Sequence, residues 1–167
     1  MRLYDIGIRD FIRAVMRYFK MICIIATSLS LGVLVAGKWN KSIISIVIDF
    51  NIVIYLGVVA SMVVHELSHY IVMKKCGVKQ IGIESSIYRF SVFTEENLDS
   101  KKLLLISFAG VISTTIIGSL LLGINMVVGS KLIKVIIWIY YIHLINILPL
   151  FGDGKMILKA FLLKKKV

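Results

Sequence analysis

Four long apolar stretches dominate the pattern of hydrophobic and polar positions along the chain. They cover residues 21–37, 43–73, 103–130 and 135–152. A helix rises about 1.5 Å per residue, so about 20 apolar residues cross the hydrocarbon core of a bilayer. The pattern therefore predicts about four transmembrane helices. The second stretch is too long for one straight span, and its polar residues Asp49 and Asn51 predict a break or an interfacial segment there.

The first 20 residues place basic and apolar side chains on two faces of a helix. The basic face consists of Arg9, Arg13, Arg17 and Lys20. The apolar face consists of Phe11, Ile12, Val15 and Phe19. Such a helix can lie on an anionic membrane leaflet or pack its apolar face on its own protein. We expect an interfacial amphipathic helix over residues 1–20 and a membrane-embedded domain over residues 21–167.

The composition points to a lipid environment. Hydrophobic residues make up 59% of the 167 residues, charged residues only 17%, and the mean hydropathy is +0.93. A soluble domain of this length could not cover so much apolar surface with so few polar groups. The composition therefore excludes an ordinary soluble domain.

The net charge of +11 is distributed unevenly. Most Lys and Arg residues precede the first apolar stretch, lie within residues 74–102, or follow the last stretch, and the other side has only Lys38, Lys41, Lys131 and Lys134. Basic loops stay on the cytoplasmic side of a membrane. The pattern predicts a multi-pass protein of the cell membrane, with both termini and the 74–102 loop in the cytoplasm. It favours the lipid bilayer over nucleic acid as the partner of the basic residues.

Residues 81–93, within the predicted cytoplasmic loop, partly alternate apolar and polar side chains. Several of these side chains are β-branched or aromatic, which predicts one or two short strands. The expected fold class is an all-α polytopic membrane protein with about four transmembrane helices, a short cytoplasmic β segment and an N-terminal amphipathic helix.

Two of the three histidines form the motif His65-Glu66-Leu67-Ser68-His69. On a helix, positions i and i+4 share a face, so both imidazoles can reach one metal ion. Glu66 lies beside them and can accept a proton from a metal-bound water. Such a motif can arise by chance, but unpaired ionisable groups within a span cost about 2–3 kcal/mol each. The location therefore favours a metal site.

A catalytic zinc site has three protein ligands and one open position, so a third ligand is needed. Asp49, His143 and Asp153 are the candidates in or near the apolar stretches. Asp49 precedes His65 by about 24 Å along one helix and suits a polar position at the outer interface better. His143 lies within a span, where it can bind the metal, hydrogen-bond within the bundle, or support a ligand without binding the metal itself.

Asp153 is the strongest of the three candidates. It follows Pro149, the only proline, and Gly152 and Gly154 flank it, so an irregular backbone is expected there. Irregular backbone at membrane depth is tolerated where it lines a cavity or is buried in protein. Asp153 also lies near the cytoplasmic end of its stretch, as His65 and His69 do. His143 nevertheless stays open as the residue that completes the site.

The HExxH motif, followed by Asn146-x-x-Pro149 and Asp153-Gly154, resembles the site-2 protease family of intramembrane metalloproteases over residues 50–160. Pro149 and Asp153 are one residue closer together than is usual in that family, and Ala109-Gly110 is all that remains of a further family motif. The resemblance implies a three-helix core that holds zinc, Zn2+, through His65, His69 and Asp153. It also implies that Glu66 activates water and that Asn146 helps to hold substrate.

The expected function is that of an intramembrane zinc metalloprotease, with residues 21–167 as its metalloprotease domain. Its partners would be a peptide or a single-span membrane protein as substrate. Residues 81–93 could pair with an extended substrate by strand addition. The alternative is a non-proteolytic metal-binding membrane protein with a transport, sensing, scaffold or immunity role.

Overall fold

The computed structural model describes residues 2–3, 6–86 and 89–164. The helices of the described residues are α1 (Ile8–Ala36), α2 (Lys41–Ile52), α3 (Ala60–Lys75), α4 (Ser100–Val128), α5 (Lys131–Ile142) and α6 (Gly152–Lys164). A π-helical segment, Val53–Val59, joins α2 to α3, and a 3-10 segment, His143–Ile147, follows α5. The strands are β1 (Arg2–Leu3), β2 (Gly82–Ser86) and β3 (Arg89–Phe93).

Four helical stretches are long and apolar enough to cross a membrane. They are Ile8–Ala36, Lys41–Lys75, Ser100–Val128 and Lys131–Lys164. Large apolar side chains cover much of their outer surface, and Val127, for example, is 90% exposed. Exposed apolar patches of this extent are rare on soluble monomers, whereas lipid solvates them well. The prediction of a multi-pass, mainly helical membrane protein is confirmed at this level.

The helix of the second stretch continues through residues 49–51, so the predicted break is wrong, while the interfacial alternative stays a prediction. Asn51 does not disrupt the helix because its side-chain amide donates to the Ser30 hydroxyl of α1 and to the Val47 carbonyl, both at 2.7 Å. The winding changes two residues later, where the π-helical segment begins at Val53. A polar residue in this span therefore joins two helices.

The helix predicted over residues 1–20 is not a separate element, because α1 runs uninterrupted from Ile8 to Ala36. Its residues Phe11, Val15 and Phe19 are buried. The Phe11 ring stacks on Tyr70 of α3 at 5.2 Å, and its edge meets Phe90 of β3 at 6.2 Å. Most of the predicted apolar face thus packs on the protein itself. Ile12, assigned to the same face, is 53% exposed.

The predicted β segment forms part of a three-stranded antiparallel sheet in the order β1-β2-β3. Ile83 of β2 pairs with Val92 of β3, and β1 pairs with β2 on its other side. The sheet packs against α1 and α3, and Ile106 of α4 joins them in one cluster of buried side chains. Its members are Ile6, Phe11, Val15, Phe19, Tyr70, Met73, Val78, Ile81, Ile83, Phe90, Val92 and Ile106.

Helix α4 lies at the centre and packs against α3, α5 and α6. Small and hydroxyl residues line its buried face, among them Gly110, Thr114 and Gly118. The Thr114 hydroxyl donates to the Gly110 carbonyl at 3.0 Å, so it needs no partner on another helix. Small residues of this kind let neighbouring backbones approach closely. The arrangement brings α3 and the start of α6 to one face of α4.

Candidate metal centre

The two histidines of the HExxH motif lie on one face of α3, as their spacing predicts. His65 and His69 are 4% and 5% exposed. Their Nε2 atoms are 3.1 Å apart, and their ring centroids are 4.8 Å apart. Both rings therefore direct a nitrogen toward one buried point between α3 and its neighbours.

Asp153 brings a carboxylate to the same point. Its Oδ2 lies 3.0 Å from Nε2 of His65, and its Oδ1 lies 3.4 Å from Nε2 of His69. One donor atom from each of the three residues lies within 4.8 Å of the others. Among the described residues, this is the group of histidine, cysteine and acidic side chains that could hold a metal ion.

The backbone before Asp153 turns tightly to place this carboxylate. The 3-10 segment ends at Ile147, and α6 begins at Gly152. A side chain at position 154 would collide with the carbonyl group of Leu148 and would lie 2.5 Å from the Ile147 carbonyl oxygen. Gly154 therefore permits the reversal that carries Asp153 back toward α3.

Gly110 of α4 lies directly against both histidines. A Cβ at this position would lie 2.6 Å from Cε1 of His65 and 2.6 Å from Nε2 of His69. Real Cβ contacts are essentially never that short, so only glycine leaves room for both rings. Sequence reasoning noted Ala109-Gly110 only as part of a family motif and missed this role.

His69 has a fixed orientation. Its Nδ1 donates to the Ile106 carbonyl of α4 at 2.7 Å, because a carbonyl oxygen can only accept. In the neutral ring, Nδ1 therefore carries the proton and the lone pair of Nε2 points toward Asp153. This tautomer can bind a metal ion through Nε2. Metal-binding histidines are commonly fixed in this way through their second nitrogen.

The donor set suits a metal ion. Zinc binds imidazole nitrogens and carboxylate oxygens and keeps one position open when three protein ligands hold it. Asp153 Oδ2 is buried, and its close neighbour is Nε2 of His65 at 3.0 Å, which itself lies 3.1 Å from Nε2 of His69. A cation between the three donors would give each of them a partner of opposite charge or lone-pair acceptor. His65, His69 and Asp153 could therefore hold a metal ion.

Glu66 lies beside this group and contacts the sheet. Its Oε2 accepts a hydrogen bond of 2.9 Å from the backbone N–H of Val92 in β3. This contact connects the motif on α3 to a strand 26 residues further along the chain. The sequence pattern could not predict this hydrogen bond, because its donor is a backbone N–H, which nearly every residue has.

The other predicted site residues lie outside the donor group. Asp49 is exposed on α2. His143 does not offer an atom to the group, but its ring stacks on His65, with centroids 4.8 Å apart and an interplanar angle of 26°. Asn146 lies half-buried in the 3-10 segment. Its role toward substrate stays a prediction.

Comparison with known proteins identifies no relative of this chain. The chain matches no protein-family model, no curated protein and no solved structure. The resemblance to the site-2 protease family therefore depends on the motif residues alone.

Proposed function

We propose that this chain is an intramembrane zinc metalloprotease of the site-2 protease type. The observation that carries the proposal is the convergence of His65, His69 and Asp153, with Glu66 beside them, between helices that are apolar enough to lie in a membrane. Buried ionisable groups in such helices are rare and mark functional sites. Two imidazoles and one carboxylate also match the ligand sets of known hydrolytic zinc sites.

In the proposed reaction, His65, His69 and Asp153 would hold a zinc ion. When bound, zinc supplies Lewis-acid activation of a water molecule and polarises the carbonyl of the scissile peptide bond. The protein residues supply the ligand geometry, and Gly110 allows both imidazoles to fit against α4. The buried setting strengthens the electrostatic interactions at this point.

Glu66 acts as the general base and acid. It takes a proton from the attacking water and returns it to the nitrogen of the leaving amine, so the proton balance closes over one turnover. The Val92 N–H occupies Oε2, so we assign the proton transfer to Oε1. The same hydrogen bond limits rotation of the carboxylate, which favours a constant position for the base.

The proposed substrate is a peptide or a single membrane span that is locally extended. A helical segment must unwind before cleavage, because its carbonyls are otherwise engaged in the helix. Strand β2 lies between β1 and β3, so one edge of β3 carries no further strand among the described residues. The hydrogen bond from the Val92 N–H to Glu66 keeps β3 next to the base. A substrate that pairs with the remaining backbone groups of this edge would therefore lie close to the base.

We place the opening of the site in the cytoplasm. Lys74 and Lys75 end α3, and Lys101 and Lys102 begin α4, so both helix ends next to the sheet are basic. The opposite ends carry only Lys38, Lys41, Lys131 and Lys134. The excess of positive charge on the sheet side favours the cytoplasmic orientation.

The test compares three purified proteins: wild type, Glu66→Gln and His65→Ala. Zinc content is measured by elemental analysis, and cleavage is measured on single-span substrates in detergent or vesicles. We expect Glu66→Gln to keep its zinc and to lose at least about 100-fold in cleavage rate, because it removes the general base. His65→Ala should lose both zinc and cleavage.

Two outcomes would contradict the proposal. If wild type binds zinc and Glu66→Gln cleaves normally, the assigned mechanism is wrong. If wild type binds zinc and cleaves none of the substrates while a zinc-dependent transport or sensing activity is measured, the non-proteolytic alternative replaces the protease.

A further inference from the structure

The two histidines of the candidate metal centre are held in different ways. His69 donates through Nδ1 to the Ile106 carbonyl. His65 has no such support, because its Nδ1 is buried without a hydrogen-bond partner among the described residues. Gly110 lies against this nitrogen, since a Cβ there would be 2.7 Å from Nδ1, and glycine has no side chain that could pair with it.

His143 contacts the face of the His65 ring. The two imidazoles are close to parallel, at 26°, with centroids 4.8 Å apart. Stacking of aromatic rings at this separation is attractive beyond the burial of apolar area. The ring plane of His65 is thus held by His143, although no hydrogen bond fixes the ring through Nδ1.

His143 is itself anchored to α3. Its Nε2 lies 3.2 Å from the hydroxyl of Ser61, which is 1% exposed. That hydroxyl donates its single proton to the Val58 carbonyl at 3.1 Å, so it accepts from the Nε2–H of His143. Ser61 lies one helical turn before His65, and His143 therefore spans two successive positions on one face of α3.

We propose that His143 is a positioning residue for the metal centre, which orients the His65 imidazole by stacking in place of the missing hydrogen bond. The inference rests on the proposed metal site. His143 is not a ligand in it, because its nitrogens lie outside the group of converging donors. Residues that orient metal ligands typically change metal affinity about 10–100-fold when they are replaced.

The experiment titrates the full-length, metal-free protein in detergent with Co2+, whose visible absorption reports both affinity and ligand geometry. Three variants are compared with wild type. His143→Phe keeps an aromatic ring, His143→Gln keeps a donor for Ser61 without a ring, and His143→Leu keeps only apolar bulk. Helicity and elution volume are measured for each protein.

We expect wild type and His143→Phe to bind Co2+ with affinities within about twofold of each other and with the same absorption band. His143→Gln and His143→Leu should bind roughly tenfold more weakly and with a changed band, because the His65 ring loses its stacking partner. If one of the ringless variants does not fold, the other carries the comparison with His143→Phe.

The outcomes separate this inference from the proposed function. Equal Co2+ binding by all four proteins would overturn the positioning role and leave the metal site intact. Normal binding by His143→Gln with weak binding by His143→Phe would also overturn it, because the hydrogen bond would then matter and the stacking would not. A wild-type protein without any cobalt band would overturn both proposals.

Discussion

Gly110 is the residue of α4 that decides whether the two histidines can occupy the same buried point. It offers no functional group, and its contribution is the space in which the two rings lie. The candidate centre depends equally on Gly154, which lets the backbone reverse before α6. The chemistry of the donors is thus visible in the sequence, while the space they need is provided by residues without side chains.

Replacing Gly110 with alanine should damage the metal centre. The added Cβ would meet both rings at 2.6 Å, and overpacking of this kind costs about 1–3 kcal/mol. We expect Gly110→Ala to bind Co2+ at least roughly tenfold more weakly than wild type, because the rings must move apart. Cobalt titration with a parallel measurement of helicity checks this.

The matched control is Gly123→Ala in the same helix. A Cβ at Gly123 meets nothing within 4 Å, so this variant should bind metal as wild type does. Equal metal affinity of Gly110→Ala and wild type would show that the histidines do not need the space at Gly110.

At the scale of elements, strand β3 connects two parts of the molecule. Phe90 contacts the aromatic rings of α1, and the N–H of Val92 holds Glu66 of α3. The first helix and the proposed catalytic base are therefore joined through one strand. We infer that the position of the base depends on the sheet as well as on α3.

Val92→Pro tests this dependence, because proline has no N–H to donate to Glu66. We expect metal content to be unchanged and the cleavage rate to fall at least roughly tenfold, since the base loses the group that orients it. The control is Val92→Ala, which shortens the same side chain and keeps the amide. Equal losses in the two variants would assign the effect to the side chain and would contradict the role of the amide.

Periodicity and spacing predict the parts of this protein that are local in sequence. The four apolar stretches and the pair His65 and His69 were visible because each repeats within a few residues. The contacts around them join distant positions: 37 residues separate His69 from Ile106, and 82 separate His143 from Ser61. A two-residue strand such as β1 is also too short to show alternation. The first helix was predicted to end at residue 20, because Arg17 and Lys20 precede an uncharged stretch. Charged side chains do not end a helix, and α1 continues through both residues to Ala36.

At the scale of the whole molecule, the sheet, the buried cluster around it and the candidate metal centre all lie toward the same ends of the helices. Ile106 belongs to this cluster, and its carbonyl also accepts the hydrogen bond from His69. The sheet ends of α3 and α4 carry Lys74, Lys75, Lys101 and Lys102. Basic helix ends lie at the membrane surface, so the proposed peptide hydrolysis would have water available on that side.

The proposed cytoplasmic orientation of the basic helix ends gives a prediction that can be tested in intact cells. Single cysteines are introduced at Lys41, at the start of α2, and at Lys102, in the first turn of α4, after Cys23 and Cys76 have been replaced by serine. Both lysines are exposed. We expect a membrane-impermeant maleimide added to intact cells to label Lys41→Cys and to reach Lys102→Cys only after permeabilisation, because the positive side remains in the cytoplasm. The reverse labelling would put the metal centre on the outer side of the membrane, and substrates would then have to reach it from there.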